Sequence, residues 1–208
     1  MSLTPWDQDL LVALTGRVRL FAETQIVRSA WGGTILSEQT TLKRVRCLES
    51  SGWLLRLRMP AHPELELRSP ISIWRPSLPA PHFGAVSYAL KNRWRLPLQD
   101  AGIVVATRKA AKLFGGSPGW VKNSSQVTHD LHVSSLFLHY RKRLSPGFEW
   151  VGEDQLTKER GKKHPDALIV DGAGRPRLFV EFGGSYAVER VEKLHRHCAA
   201  AALPYELW

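Results

Sequence analysis

Cysteine is almost absent from this chain: Cys47 and Cys198 are the two in 208 residues. They lie far apart and neither belongs to a CxxC pair, which argues against a disulfide framework and against a four-ligand zinc site; a reducing cytosol is the expected setting. No run approaches the roughly 18–20 apolar residues needed to cross a bilayer. The opening MSLTPWDQDL lacks the basic start and apolar stretch of a secretory signal, so a cytoplasmic protein without membrane contact is expected. Internal repeats and low-complexity tracts are missing too. Acid is scarce: 19 Asp and Glu stand against 29 Lys and Arg, a formal net charge of +10. That excess favours a polyanionic partner, most simply nucleic acid, although an ordinary basic surface also accounts for it.

The charge is unevenly spread. Residues 1–80 carry ten basic and seven acidic side chains, residues 81–147 ten and two, and residues 148–208 nine and ten. A basic front therefore precedes an acidic end, with the steepest excess in between.

Thr4-Pro5 reads as an N-cap with proline at the first helical position, opening a helix buried through Trp6, Leu10, Leu11 and Leu14. Phe21 to Trp31 reads as a second helix broken by Gly32-Gly33, and Ser37 as the cap of a third, buried through Leu42, Val45 and Leu48. Trp53 to Met59 alternates, as does Leu65 to Trp74, with a Pro-rich tip between them. Three helices and a two-stranded hairpin predict a winged helix-turn-helix over residues 1–80. In such a module the third helix enters the major groove, with Gln39, Thr40 and Thr41 near base edges and Lys43, Arg44 and Arg46 on its exposed side. Arg56 and Arg58 alternate with leucines on the wing and would share a phosphate-facing side. The same residues also suit the polar side of a core helix, or a dimerising module.

Residues 75–84 are Pro-rich and read as a linker. The helical stretch after them interleaves Lys91, Arg93, Trp94 and Arg95, a pattern that could grip a backbone and stack a base, or simply pack a tryptophan. An apolar run, Ile103 to Ala106, and a helix from Arg108 to Phe114 follow. His129 to Arg143 reads as a further helix whose basic end suits its own dipole as well as it suits DNA. Residues 81–147 are thus expected to be a basic helical connector that packs on the C-terminal core.

The last third carries the chemistry. Glu153, then Pro165-Asp166, then Glu181 at the end of an apolar run form the acidic skeleton of a PD-(D/E)xK nuclease core, to which residues 148–208 are similar. In that core a helical Glu and two strand-borne carboxylates hold a divalent metal, and a Lys two residues past the last acid activates water. The expected strands are Ala167 to Val170 and Leu178 to Phe182, joined by a turn at Asp171 to Gly174. Asp166 and Glu181 would hold Mg²⁺ if the site is catalytic; otherwise no cofactor is expected. Gly183 stands where the Lys belongs. Replacements are Lys193 on the following helix, which Glu189 could equally engage as an ion pair, and Lys162 or Lys163 just before Asp166. Asp166 also fits a strand-end acid and Glu181 a partner for a buried Arg. His164, His195, His197 and Cys198 do not put four ligands on one helix face. His129 and His132 fit a core or capping pair better than a proton relay.

The order of motifs extends the resemblance. His129-Asp130-Leu131 with Val133, Trp150 with Glu153, Pro165-Asp166-Ala167, Val180-Glu181 with Gly183-Gly184, and Lys193-Leu194 together resemble the replication-relaxation family of bacterial plasmids and mobile elements. That resemblance covers nearly the whole chain. It implies a DNA-binding protein in replication, relaxation or transfer of an element, with a restriction-endonuclease-like C-terminal half. The expected fold class is therefore α+β, an N-terminal winged helix-turn-helix followed by a small α/β domain. The expected activity is DNA binding with a degenerate nuclease domain. The competing expectation is a Mg²⁺-dependent endonuclease or nickase using Glu153, Asp166 and Glu181. Expected partners are double-stranded DNA and either a second copy or another protein of the element.

Overall fold

The computed structural model describes residues 2–157 and 164–208, and among these the chain is mixed α+β, with seven α-helices and two sheets. No described helix is long and apolar enough to cross a membrane. The chain packs as two units, each built from two separated stretches: residues 1–64 with 98–139, and residues 65–97 with 140–208. The boundaries expected at residues 80 and 147 therefore do not coincide with the packing.

In the first unit, α1 (Pro5–Gly16) begins at a capping box in which the Thr4 side chain accepts the Asp7 amide and Asp7 accepts the Thr4 amide. Trp6, Leu10, Leu11 and Leu14 lie inside, as their spacing predicts. The expected second helix is shorter. Phe21–Ala22 form strand β1, and only Glu23–Val27 are helical (α2), because the Phe21 and Ala22 backbones pair with Val104 and Ile103. Trp31, expected at the end of that helix, bridges to Thr34 instead. Helix α3 (Glu38–Ser50) is capped by Ser37 and buries Thr41, Val45 and Leu48. It ends where Gly52 takes φ +74, a left-handed conformation that suits glycine.

Strand β2 (Leu54–Ala61) follows, but not as half of the expected hairpin. The chain first supplies β3 (Ser72–Trp74) and α4 (Phe83–Lys91) to the other unit and returns as β4 (Gln99–Ala106). β2 and β4 pair antiparallel from Leu54↔Ala106 to Ala61↔Gln99, and the sheet order is β1-β4-β2. The alternation in residues 54–59 identified a strand without identifying its partner. Helices α5 (Arg108–Phe114) and α6 (Ser124–Arg141) follow β4.

The second unit is built on a five-stranded sheet ordered β3-β8-β7-β6-β5. β5 (Phe148–Gly152), β6 (Ala167–Asp171) and β7 (Pro176–Glu181) form an antiparallel meander. Helix α7 (Val188–Ala200) then carries the chain over to β8 (Tyr205–Leu207), parallel to β7. α4 packs on α7, and Val86, Leu90, Phe179, Val191, Leu194, Cys198, Tyr205 and Leu207 make the core between helices and sheet. The Pro-rich stretch of residues 75–84 joins β3 to α4 within this unit rather than linking two domains.

Candidate functional site

Two groups of residues matter, one in each unit. On α3 the helical period separates a buried side, Thr41, Val45 and Leu48, from an exposed stripe of Gln39, Lys43 and Arg46, with Thr40 exposed beside it. Thr41, expected near a base edge, is 1% exposed and belongs to the core. Arg44 belongs to the structure as well. Its Nε donates to Asp7 Oδ1 at 2.6 Å and its Nη2 to Asp7 Oδ2, and Asp7 is fully buried. Burial pushes the Asp7 carboxyl up, but the hydrogen bonds from Arg44 and Thr4 and the Arg44 charge hold it below its ordinary value.

Of the two arginines expected on a wing, Arg56 departs from expectation in the same way and Arg58 does not. Arg56 Nε donates to Glu23 at 2.6 Å and its Nη1 to Glu49 at 3.4 Å, so Arg56 ties α2, α3 and β2 together. Leu55 and Leu57 take the exposed positions instead. Arg58 remains on the surface, in an open ion pair with Asp100 that solvent screens.

The acidic cluster sits at the end of the second unit's sheet. Extending the register Ala167↔Val180 by one residue sets Asp166 opposite Glu181, as the sequence predicts. Asp166 is 9% exposed and Glu181 2%. Asp166 Oδ2 accepts the Phe182 amide at 2.7 Å, while Glu181 Oε1 accepts the Tyr186 hydroxyl. Arg190 lies over the Tyr186 ring, its guanidinium carbon 3.9 Å from the centroid, and its Nη2 donates to the Tyr186 oxygen at 3.0 Å. Burial raises the Tyr186 phenol far above its ordinary value, and the Glu181 and Asp166 charges add to that, so it stays a protonated donor. Tyr186 and Arg190 were missed in the sequence; their i,i+4 spacing at the entry to α7 is the signal that could have found them.

Glu153 does not come from a helix. It opens a single 3-10 turn, Glu153–Gln155, directly after β5, and its amide donates to the Asp166 carbonyl at 3.0 Å. Lys193 is exposed on α7, apart from the buried Val191, Leu194 and Cys198. Lys162 and Lys163 lie outside the described residues. Gly183 is enclosed: a Cβ there would lie 2.7 Å from Leu207 Cδ1 and 3.1 Å from Leu90 Cδ2. A Lys at this position would have to displace both leucines.

Among the described residues, no three His, Cys, Asp or Glu side chains gather as a metal site. One oxygen of Asp166 accepts an amide and one of Glu181 a phenol, and among the described residues no third acid joins them, so the three-acid set expected to hold Mg²⁺ is not assembled there and no metal-dependent step follows. His195 is half-buried among aromatic rings, its ring centroid 5.0 Å from that of Trp74 and 5.4 Å from that of Phe83, with its pKa lowered by burial. His132 is fully buried with Nδ1 2.6 Å from the Thr128 carbonyl oxygen.

Lys91 and Arg95 are exposed, as a backbone-gripping stretch requires. Arg93 between them turns inward, its guanidinium carbon 4.1 Å from the Phe182 ring centroid and 5.1 Å from that of Trp94. Comparison of the chain with models of protein families, with curated proteins and with solved structures finds no match.

Proposed function

We propose that this chain is a double-stranded-DNA-binding protein whose second unit is a nuclease-like fold that no longer cuts. The observation carrying this reading is the exposed Gln39, Lys43 and Arg46 stripe on α3, standing opposite that helix's buried side. Supporting it, three helices with β1, β2 and β4 follow the order of a winged helix, in which the third helix docks in the major groove. The second unit's β5, β6, β7, α7, β8 order and the opposed Asp166 and Glu181 support descent from a PD-(D/E)xK core. Gly183 and the engaged carboxylates support its loss of catalysis. In this reading the protein acts in replication, relaxation or transfer of a mobile element, in line with the replication-relaxation resemblance, alone or with a second copy or another protein of that element.

The test is duplex binding across a salt series. The wild-type affinity should fall steeply as salt rises, because phosphate contacts release counterions. The double variant Lys43→Glu/Arg46→Glu should bind at least about tenfold more weakly while unfolding at the wild-type temperature, since both side chains are exposed. Unchanged affinity removes α3 from the interface. Plasmid incubated with Mg²⁺ or Mn²⁺ should stay intact; cutting that disappears in Asp166→Ala/Glu181→Ala would establish the endonuclease instead.

A further inference from the structure

The structure assigns Arg93 as the anchor of a phosphate-binding site on the second unit, a role that rests on the DNA-binding reading for its source of phosphate. A guanidinium has five N–H donors in a planar fork, and removing it from water is costly unless acceptors meet them. Arg93 is partly buried, yet it forms no ion pair with a described Asp or Glu. One donor is used: Nη2 reaches the Gly183 carbonyl oxygen at 2.6 Å. Nε is buried without a hydrogen-bond partner among the described residues. The remaining support is the aromatic corner of Phe182 and Trp94, whose rings meet at 77° with centroids 6.1 Å apart. Desolvation lowers the group to about 10, which leaves it charged at neutral pH.

A cation held by rings and one carbonyl, with no acid among the described residues to neutralise it, is a site built for an anion that comes from outside. The surrounding sequence agrees: no Asp or Glu occurs between Glu66 and Asp100, whereas Arg68, Arg75, Lys91, Arg93 and Arg95 do. With Nε enclosed, the edge of the fork formed by Nη1 and the second Nη2 hydrogen is the one that matches two oxygens of a phosphate, and stacking on rings fixes its plane. Exposed Lys91 and Arg95 on either side extend the positive charge along a backbone. The anion is thus a phosphate, either free or as a diester of the DNA strand, and the experiment separates the two.

Arg93→Met keeps the length and apolar stem, and Arg93→Lys keeps the charge without the fork. In the duplex arm, Arg93→Met should bind roughly tenfold more weakly, and the slope of log affinity against log salt should shrink by about one. Arg93→Lys should restore the slope but not the full affinity. In the second arm, inorganic phosphate at matched ionic strength should raise the unfolding temperature of the wild type more than that of Arg93→Met. A structural role alone would lower the unfolding temperature of Arg93→Met and leave the salt slope untouched. Should both variants keep the wild-type slope and the wild-type phosphate response, the proposal falls. If the duplex arm is silent even for the wild type, the DNA reading has failed, and the phosphate arm alone decides Arg93.

Discussion

At the residue scale, basic side chains divide by whether an acid has already claimed them. Arg44 and Arg56 look like neighbours of Lys43 and Arg58 in the sequence, but buried Asp7 takes the first and Glu23 with Glu49 the second. The Asp7–Arg44 pair is the costlier one to break, because Asp7 is fully buried and also accepts from Thr4. Asp7→Asn should lower stability by about 3 kcal/mol in urea titrations, the usual scale for removing one partner of a buried pair. The sign with pH follows from a carboxyl held below its ordinary value. Its stabilising contribution is complete above the ordinary carboxylate pKa and is lost as pH falls through the lowered one. Wild-type protein should therefore lose stability below pH ~4 more steeply than Asp7→Asn; parallel acid curves would remove Asp7 from that role.

At the scale of elements, β7 and the helices packed on it explain why position 183 holds glycine. The strand end is closed by Leu90 of α4 and Leu207 of β8, so Gly183→Ala places a methyl 2.7 Å from Leu207 Cδ1. Overpacking of this kind typically costs 1–3 kcal/mol, so the midpoint of chemical unfolding should drop accordingly. A neutral Gly183→Ala would mean that the corner is looser than its contacts imply. Here the sequence was legible in part. Pro165-Asp166 and Glu181 were readable because short apolar runs with a turn between them fix a hairpin register. Capping at Thr4 and Ser37 was readable for a similar local reason. The partner of β2 and the engaged state of Arg44 and Arg56 were not, because each depends on a contact made far along the chain. The Phe21 to Trp31 stretch misled only at its ends: Phe21 and Ala22 pair with β4 and Trp31 bridges to Thr34, while Glu23–Val27 is helical as its spacing predicts.

At the scale of the whole molecule, the chain leaves the first unit after residue 64 and re-enters it at residue 98. Continuity in sequence is therefore a poor guide to what folds together. A fragment of residues 1–80 contains all three leading helices and β1 and β2, yet lacks the strand that joins β1 to β2. Without β4, β2 loses every ladder partner from Leu54 to Ala61, and Ile103 to Ala106, all at most 1% exposed, leave the core empty on that side. Unpaired backbone polar groups and an open apolar face are together more than a small domain's margin of about 5–15 kcal/mol can absorb. The 1–80 fragment should accordingly show no cooperative urea transition and little dispersion of its amide resonances. Residues 1–139, which restore β4, α5 and most of α6, should recover a single transition. A cooperatively folded 1–80 fragment would mean that the first unit's core is complete without β4, contrary to the pairing that defines its sheet.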